Sequence, residues 1–347
     1  MTCRSVCALL VCVLAAATLS TAASADDCKL ALLATLDFTE GPSGQIMLPV
    51  TMQGTPKLML LDTGGQFSAV DPLVTDDLKL VTYRLRQGFV ANAAGNSIQQ
   101  SAVIHGLDIG RLHVNEIHVA VWPSPISRDG TIAGFLGADL LRNYDVDIDF
   151  GSHQVKFFSQ DHCPGKVVYW SAPSVAVVPM HMEYSGHIIV PVTLDGHEID
   201  ALFDTGASTT HLSLEAAKND FKLVPGSSDM PKVGEFNGAA STPVYLHTFK
   251  SLALQDITIN NPKIAISEDL EKTNFQQNTH LGSRLSDADE RVGVTDMEIG
   301  TREMRHFHIY IAYKEQKFYI SPAAEPVAAA TAPSTQPASA GTAAATH

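Results

Sequence analysis

Two aspartates stand in the same short sequence, Asp-Thr-Gly, at residues 62–64 and again at residues 204–206. Each triplet directly follows two large apolar residues. Two carboxyl groups within hydrogen-bonding distance cannot both ionise, so such a pair shares one proton. The ionised member can then activate a water molecule, while the protonated member polarises a carbonyl group. The residue types therefore favour acid–base hydrolysis by Asp62 and Asp204.

The two triplets belong to an internal repeat. Residues 44–64 align with residues 186–206 without a gap, and ten of the 21 paired positions are identical. Beyond the triplets, Leu107–Val121 matches Leu252–Ile266, again without a gap. Because each half contributes one aspartate, a pseudo-two-fold arrangement of the halves would bring the two carboxyl groups together. The repeat thus predicts two similar lobes with a site between them.

The elements around the triplets read mainly as strands. Leu107–Val121 and Leu252–Ile266 alternate apolar and polar residues with a period of two, which is typical of half-buried strands. Short helices are expected to begin at Asp71-Pro72 and Ser213-Leu214, since Asp and Ser are good N-caps and Pro suits the first helical position. The pattern predicts an all-β protein of two closed β lobes, related by a pseudo-two-fold axis, with short helices.

The residues after each aspartate have predicted roles in supporting the pair. Gly64 and Gly206 allow a sharp backbone turn and can offer unhindered N–H groups to the carboxylates. Thr63 and Thr205 can place hydroxyl groups across the interface and hold the two loops together. The alternative is a pair of hairpin turns whose aspartates only cap the backbone.

The chain resembles the retropepsin-like aspartic proteases in its two Asp-Thr-Gly triplets and in the segment Phe135-Leu136-Gly137-Ala138-Asp139-Leu140-Leu141. The chain resembles two such units fused in tandem, pepsin-like in overall plan. The resemblance implies a polypeptide substrate in a groove between the lobes, hydrolysis through a bound water, no cofactor, and hairpin flaps over the groove. Phe89 and Phe236 lie in Gly-punctuated runs at the expected flap positions, where ordinary hairpin turns are the alternative.

Departures from the family pattern raise a second hypothesis. Gly65-Gln66 follows the first triplet where the family commonly has Ala, Ser or Thr and then a polar residue, and residues 300–302 replace the usual Gly-Arg-Asp/Asn. The alternative function is a catalytically weak or inactive peptide-binding scaffold.

Pepsin-like relatives can donate a hydrogen bond to the ionised carboxylate from a hydroxyl directly after the triplet. Since Gly65 and Ala207 lack one, a mildly acidic pH optimum is expected.

Composition excludes several other classes of function. The chain has 347 residues and a net charge of −14, which argues against nucleic acid and anionic lipid as partners. The chain has fourteen histidines, but it contains neither a His-Glu-x-x-His nor a Cys-x-x-Cys motif, so no metal site is predicted. His306 and His308 share one face of an alternating strand, where solvated side chains are expected, and His211 reads as a surface or core-edge histidine. A monomer is expected.

The ends of the chain carry signals of a different kind. Residues 1–25 have the charge, apolar stretch and Ala-Ser-Ala sequence of a cleavable signal peptide, which predicts a secreted or periplasmic protein without a membrane span. Lobe 1 is assigned to residues 26–165, lobe 2 to 166–321, and a disordered Ala/Pro-rich tail to 322–347. Cys28 and Cys163 are the two cysteines outside the signal; a disulfide is favoured over two buried thiols.

Overall fold

The computed structural model of the chain describes residues 28–90, 97–127, 130–237, 241–268 and 295–323. The predicted signal peptide, nearly all of the predicted tail, and residues 269–294 lie outside these ranges. The predictions made for those segments therefore stay predictions.

Strands account for most of the described structure. They are β1 (Leu32–Asp37), β2 (Thr39–Glu40), β3 (Ile46–Met52), β4 (Thr55–Leu61), β5 (Ala69–Val70), β6 (Val81–Val90), β7 (Ser97–Ile109), β8 (Leu112–Val121), β9 (Ile132–Leu136), β10 (Asp145–Asp149), β11 (Gln154–Phe158), β12 (Ala176–Pro179), β13 (His181–Met182), β14 (Ile188–Leu194), β15 (His197–Phe203), β16 (His211–Ser213), β17 (Lys232–Asn237), β18 (Ser241–Thr248), β19 (Ser251–Leu254), β20 (Ile257–Asn260), β21 (Lys263–Ser267), β22 (Met297–Ile299), β23 (Phe307–Ala312) and β24 (Lys317–Pro322).

The helices are short. In the described ranges they are α1 (Pro72–Asp77), α2 (Ala138–Leu141), α3 (Leu214–Asn219) and α4 (Thr301–Met304). As predicted, α1 and α3 begin after capping residues: Asp71 accepts a hydrogen bond from Leu73 N at 2.7 Å, and Ser213 accepts one from Ala216 N at 3.1 Å. None of these helices has the length and apolar character that crossing a membrane would require.

Each half of the chain folds into its own β lobe. In lobe 1 an eight-stranded sheet runs in the order β2-β3-β4-β9-β5-β8-β7-β6, and an additional β3–β7 pairing closes it on itself. Lobe 2 has the path β17-β18-β21-β16-β22-β15-β14-β19-β20, with β13 paired to β14. The predicted all-β fold with two pseudo-symmetric lobes is confirmed.

A third sheet joins the halves. Its six strands run in the order β1-β11-β10-β23-β24-β12, three from each repeat, and the pseudo-two-fold axis passes between β10 and β23. The inward face carries Val146 and Ile148 opposite Ile311 and Ile309, all inaccessible to solvent. These residues belong to one apolar core that continues through both lobes. The lobe ranges of the sequence analysis stay a prediction, because sheet and core cross the proposed boundary.

The opposite face of this sheet corrects the expectation for His308. His308 is buried, its Nε2 lies 2.7 Å from Asp147 Oδ2, and its ring stacks on Trp170 with centroids 4.2 Å apart. The expectation of a solvated side chain was wrong because the connection between the lobes carries Trp170 back over this face. His306, in contrast, is exposed. Within the described ranges, no cluster of three or more His, Cys, Asp or Glu side chains could hold a metal ion.

The two cysteines meet in a disulfide. Cys28, before the first strand of lobe 1, is bonded to Cys163, 135 residues later and just after β11. The bond closes a loop that contains the whole first repeat. A cross-link over so long a loop restricts the unfolded chain strongly.

We therefore expect the double variant Cys28→Ser/Cys163→Ser to lose roughly 2–4 kcal/mol of unfolding free energy. Chemical denaturation of both proteins, followed by tryptophan fluorescence, measures the difference. Thiol titration of the folded wild-type protein is the complementary check, and two reactive thiols there would contradict the bond.

Candidate active site

The same local architecture delivers each aspartate. β4 runs parallel to β9 and leads into Asp62, whose backbone N–H donates to the carbonyl of Leu136 at 3.0 Å. β15 runs parallel to β22 and leads into Asp204, whose N–H donates to the carbonyl of Ile299 at 3.0 Å. Equivalent strands therefore fix the two backbones in equivalent positions, and both loops project toward the lobe interface.

Reciprocal hydrogen bonds of two threonines lock these loops together. Thr63 Oγ1 donates to Phe203 O at 2.7 Å and accepts from Thr205 N at 3.0 Å. Thr205 Oγ1 in turn donates to Leu61 O at 2.6 Å and accepts from Thr63 N at 3.0 Å. Both side chains are completely buried, so each of these groups depends on its partner across the interface. The role predicted for the threonines matches this geometry.

The two carboxyl groups lie in contact at the centre of this arrangement. Asp62 and Asp204 are joined by a side-chain hydrogen bond. Asp204 Oδ1 also accepts from Gly206 N at 2.7 Å and from Gly64 N at 3.1 Å. Burial raises the pKa of Asp62 well above its usual range, and the charge of Asp204 and the hydrogen bond between the two side chains raise this pKa further. Hydrogen bonds from the backbone N–H groups of Gly65 and Gly64 lower it by a smaller amount. The pair is therefore built to hold a proton.

The glycine of each triplet is required by close approach. A Cβ atom on Gly64 would lie 2.3 Å from Asp204 Cγ, and one on Gly206 would lie 2.6 Å from Asp62 Oδ1. Any side chain at either position would push the opposite carboxyl group away. Each lobe thus makes room for the aspartate of the other.

The sequence analysis considered Gly65 only as a residue that lacks a hydroxyl group, but the structure shows that it is also required by close approach to Asp62. Its N–H donates to Asp62, and a Cβ atom there would lie 2.8 Å from Asp62 Oδ2. A hydroxyl-bearing residue would therefore displace the carboxyl group before it could donate to it. Ala207, at the equivalent position of lobe 2, already carries a Cβ atom. Its carbonyl accepts from Thr301 N at 2.9 Å and Thr301 Oγ1 at 3.2 Å.

A second pair of hydroxyl groups, six residues after each aspartate, was missed in the sequence. Ser68 Oγ donates to Asp139 Oδ1 at 2.7 Å and accepts from Gly137 N at 3.0 Å. In lobe 2, Thr210 Oγ1 donates to Glu303 Oε2 and accepts from Gly300 N. The signal was the equal spacing of Ser68 and Thr210 from their aspartates. The segment that begins at Gly300 departs from the family pattern, yet it builds the same support in lobe 2.

Long hairpins stand where flaps were expected. Phe89 pairs with Ile98 in the β6–β7 hairpin, and Phe236 pairs with Thr242 in the β17–β18 hairpin, but both side chains and both tips lie outside the described residues. Leu85, earlier in β6, and Phe135 in β9 both pack against an apolar cluster of Ala69, Ile98 and Ala120 that the sequence analysis did not identify. The first hairpin therefore packs on the same cluster as β9, the strand beside β4.

His187 is another residue that the sequence analysis missed. It is partly buried, and its backbone neighbour Gly186 packs against Ala138 of lobe 1, toward which a Cβ atom on Gly186 would approach to 2.6 Å. Burial lowers the pKa of His187, while the charges of Glu183 and Asp204 and a hydrogen bond to the Gly64 backbone oppose this. A histidine therefore borders the carboxyl pair. Its position in the repeat corresponds to Gln45, so no shared motif marked it.

The threonine network gives a direct prediction. Thr63→Ala leaves the Phe203 carbonyl and the Thr205 N–H without their buried partners, so we expect a loss of about 1–3 kcal/mol in unfolding free energy. Thr63→Ser, which keeps the hydroxyl group, is the matched control and should lose much less. Urea denaturation measures both, and equal stability of the Ala and Ser variants would contradict the role of the hydroxyl.

Comparison with known proteins agrees with this geometry. A sequence profile described as aspartyl protease matches the chain twice, at residues 48–140 and 190–285, which together make up more than half of it. A search of curated protein sequences finds no match.

Solved structures of similar fold include an aspartic proteinase from Irpex lacteus, with 13% identity, a TM-score of 0.49, and coverage of 86% of this chain and 99% of that chain. Basic 7S globulin from soybean has 8% identity, a TM-score of 0.47, and coverage of 84% and 97%. Conglutin gamma, a basic 7S globulin from lupine seeds, has 11% identity, a TM-score of 0.47, and coverage of 84% and 95%. By the two matches of the family profile, one in each repeat, this chain belongs to the aspartyl protease family.

Proposed function

We propose that this protein is an aspartic endopeptidase that hydrolyses polypeptides with Asp62 and Asp204 as its catalytic pair. The observation that carries the proposal is the hydrogen-bonded contact of two carboxyl groups, one from each lobe, with the pKa of Asp62 raised. Such a pair holds a single proton over a range of pH, as general acid–base hydrolysis requires. Membership of the aspartyl protease family supports the same chemistry.

The raised pKa of Asp62 supports different roles for the two aspartates. Asp204 Oδ1 accepts two backbone N–H bonds, which stabilise its anion. Burial and the charge of Asp204 raise the pKa of Asp62, so the shared proton resides on Asp62 in the resting pair. Asp204 is thus the general base, and Asp62 is the general acid.

The proposed reaction has two steps. A water molecule between the carboxyl groups gives a proton to Asp204 and bonds to the peptide carbonyl carbon, while Asp62 gives its proton to the carbonyl oxygen. In the second step Asp204 passes its proton to the amide nitrogen and the C–N bond breaks. Asp62 recovers a proton from a hydroxyl of the tetrahedral intermediate, which leaves a carboxylic acid and an amine.

A monomeric, exported enzyme is part of the proposal. One chain supplies both carboxyl groups, and the six-stranded sheet joins the lobes, so a second copy is not needed to complete the site. The predicted signal peptide and the disulfide support a secreted or periplasmic location, because disulfides form in oxidising compartments.

The aspartate pair can be tested by substitution. Asp62→Asn and Asp204→Asn should each reduce kcat by roughly 10³-fold or more, and the double variant should lose little beyond that, since both groups serve one reaction. Digestion of a peptide library by the mature protein, analysed by mass spectrometry, measures cleavage. Asp256→Asn, at an exposed turn position, is the matched control and should retain activity.

Two results would overturn the proposal. One is substantial turnover by Asp62→Asn. The other is a wild-type protein that binds peptides but cuts none, which would favour the peptide-binding scaffold.

The pH dependence follows from the pair. Activity should fall at low pH, where both carboxyl groups are protonated, and at high pH, where both are ionised. Because burial and the charge of Asp204 raise the pKa of Asp62, the upper limb should lie above the ordinary range of aspartate. We therefore expect a bell that peaks in the mildly acidic range.

Three variants examine this bell. Ala207→Ser adds a donor beside the anion and should move the acidic limb to lower pH, while Ala207→Gly adds no donor and should leave it in place. Gly65→Ala should instead lower kcat across the range, because its Cβ atom displaces Asp62. Profiles of kcat/KM against pH measure all three. A wild-type optimum at strongly acidic pH would show that other groups control these pKa values.

A further inference from the structure

A turn of lobe 2 lies against the loop that carries Asp62. It is the turn between β13 and β14, residues 183–187, in which Glu183 N donates to His187 O and Gly186 N donates to Glu183 O, both at 2.9 Å. His187 N adds a hydrogen bond to Ser185 Oγ at 3.3 Å. These bonds close the turn and fix the backbone from which the His187 side chain extends.

The turn packs on lobe 1 through a glycine. A Cβ atom on Gly186 would lie 2.6 Å from Ala138 Cβ, at the start of α2. Ala138 N in turn donates to Gly65 O at 2.8 Å. The turn of lobe 2 is therefore packed on the residue that holds the loop after Asp62.

The imidazole of His187 reaches that loop directly. It forms a hydrogen bond with the backbone of Gly64, and this bond raises the pKa of the imidazole, as donation to a carbonyl oxygen does. Within the described part of the chain, Nδ1 of the ring is buried and has no hydrogen-bond partner, so Nε2 makes the bond. His187 thus holds the carbonyl group of Gly64.

Gly64 is held at both of its backbone groups. Its carbonyl accepts from His187, and its N–H donates to Asp204 Oδ1 at 3.1 Å. Glycine has the widest choice of backbone angles, so its N–H keeps one direction only when other contacts fix the residue. The bond from His187 is such a contact, and it acts on the donor to the proposed general base.

The equivalent turn of lobe 1 has a different side chain at this position. Gly41 N donates to Gln45 O at 2.8 Å and Gly44 N donates to Gly41 O at 2.9 Å, so the two turns have the same hydrogen bonds. Gln45, however, folds back on its own turn, where its Oε1 would lie 3.1 Å from a Cβ atom on Gly41. Of the two turns, the one in lobe 2 supplies the ring that reaches the opposite lobe.

Two charged groups act on the ring. Asp204 lies on one side and Glu183 belongs to the same turn, and both charges raise the pKa of His187. Burial has the larger effect and lowers this pKa, because it disfavours the imidazolium form. The neutral ring can still donate to the Gly64 carbonyl, so its effect on the carboxyl pair does not require a positive charge.

We propose that His187 is a positioning residue for the general base: it holds the Gly64 carbonyl and so keeps the Gly64 N–H directed at Asp204. That N–H stabilises the Asp204 anion, which places the acidic limb of the activity profile at lower pH. The proposal rests on the peptidase function proposed above and adds a residue that tunes it.

Substitutions at His187 test this role. His187→Ala removes the bond, the Asp204 anion loses stabilisation, and its pKa rises. We therefore expect the acidic limb of kcat/KM to move up by about half a pH unit or more, with kcat about tenfold lower and KM nearly unchanged. His187→Leu, which fills the space without a donor, should behave in the same way.

Two further variants are the controls. His187→Gln, the residue type of the equivalent position in lobe 1, keeps an N–H donor near the place of Nε2 and should restore most of kcat and of the acidic limb. His181→Ala removes an exposed histidine from the same hairpin and should change neither. Circular dichroism shows that each variant is folded.

A second measurement needs no substrate. In protein labelled with ¹³C at the aspartate carboxyl carbons, NMR follows the titration of the pair, and Asp62→Asn and Asp204→Asn identify its resonances. The lower apparent pKa of the pair should rise in His187→Ala by the same amount as the acidic limb, and His187→Gln should reverse the rise.

The outcomes separate this inference from the function on which it rests. If the wild-type protein cuts peptides and His187→Ala keeps its kcat and acidic limb, or if His187→Gln is impaired as much as His187→Ala, the inference is wrong although the peptidase function stands. If the wild-type protein cuts no library peptide, the peptidase function fails. An unchanged NMR titration in His187→Ala then overturns the positioning role as well.

Discussion

Two carboxyl groups that repel each other when ionised are held in contact at the lobe interface, and the hydrogen bonds of Thr63 and Thr205 resist their separation. Each threonine bonds the opposite backbone through its hydroxyl group, so neither loop can move without leaving buried polar groups unpaired. Gly64 and Gly206 complete the constraint by leaving space for the opposite carboxyl group. The rest of each lobe serves to deliver these loops to the interface.

Covalent and sheet connections reduce the demands on that interface. The six-stranded sheet contributes a shared core, and the Cys28–Cys163 bond encloses the first repeat. Lobes in one chain meet at a high effective concentration, so they need fewer polar contacts than two separate subunits would. The acids of the closing segments are accordingly used within each lobe, where Asp139 bonds Ser68 and Glu303 bonds Thr210.

The two halves of the repeat share the residues that support the carboxyl pair but differ in the residues around it. The threonines, the glycines and the hydroxyl groups six residues after each aspartate recur in both halves, because both must satisfy the same buried backbone groups. Phe135 and Glu298 pair with the equivalent residues Leu60 and Leu202 but differ in chemical type. A single chain can thus present different chemistry to the two sides of a substrate, which a symmetric dimer cannot do.

The sequence by itself determined the strand-rich fold, the two lobes, and the short helices after Asp71 and Ser213, because these depend on local periodicity, capping and the repeat. It also singled out Asp62 and Asp204. Only the tertiary structure decided that Gly64 must leave room for Asp204, that His308 is buried under Trp170, and that His187 borders the carboxyl pair. Each of these depends on a contact between segments far apart in the chain, and a local pattern carries no information about which segment will lie opposite.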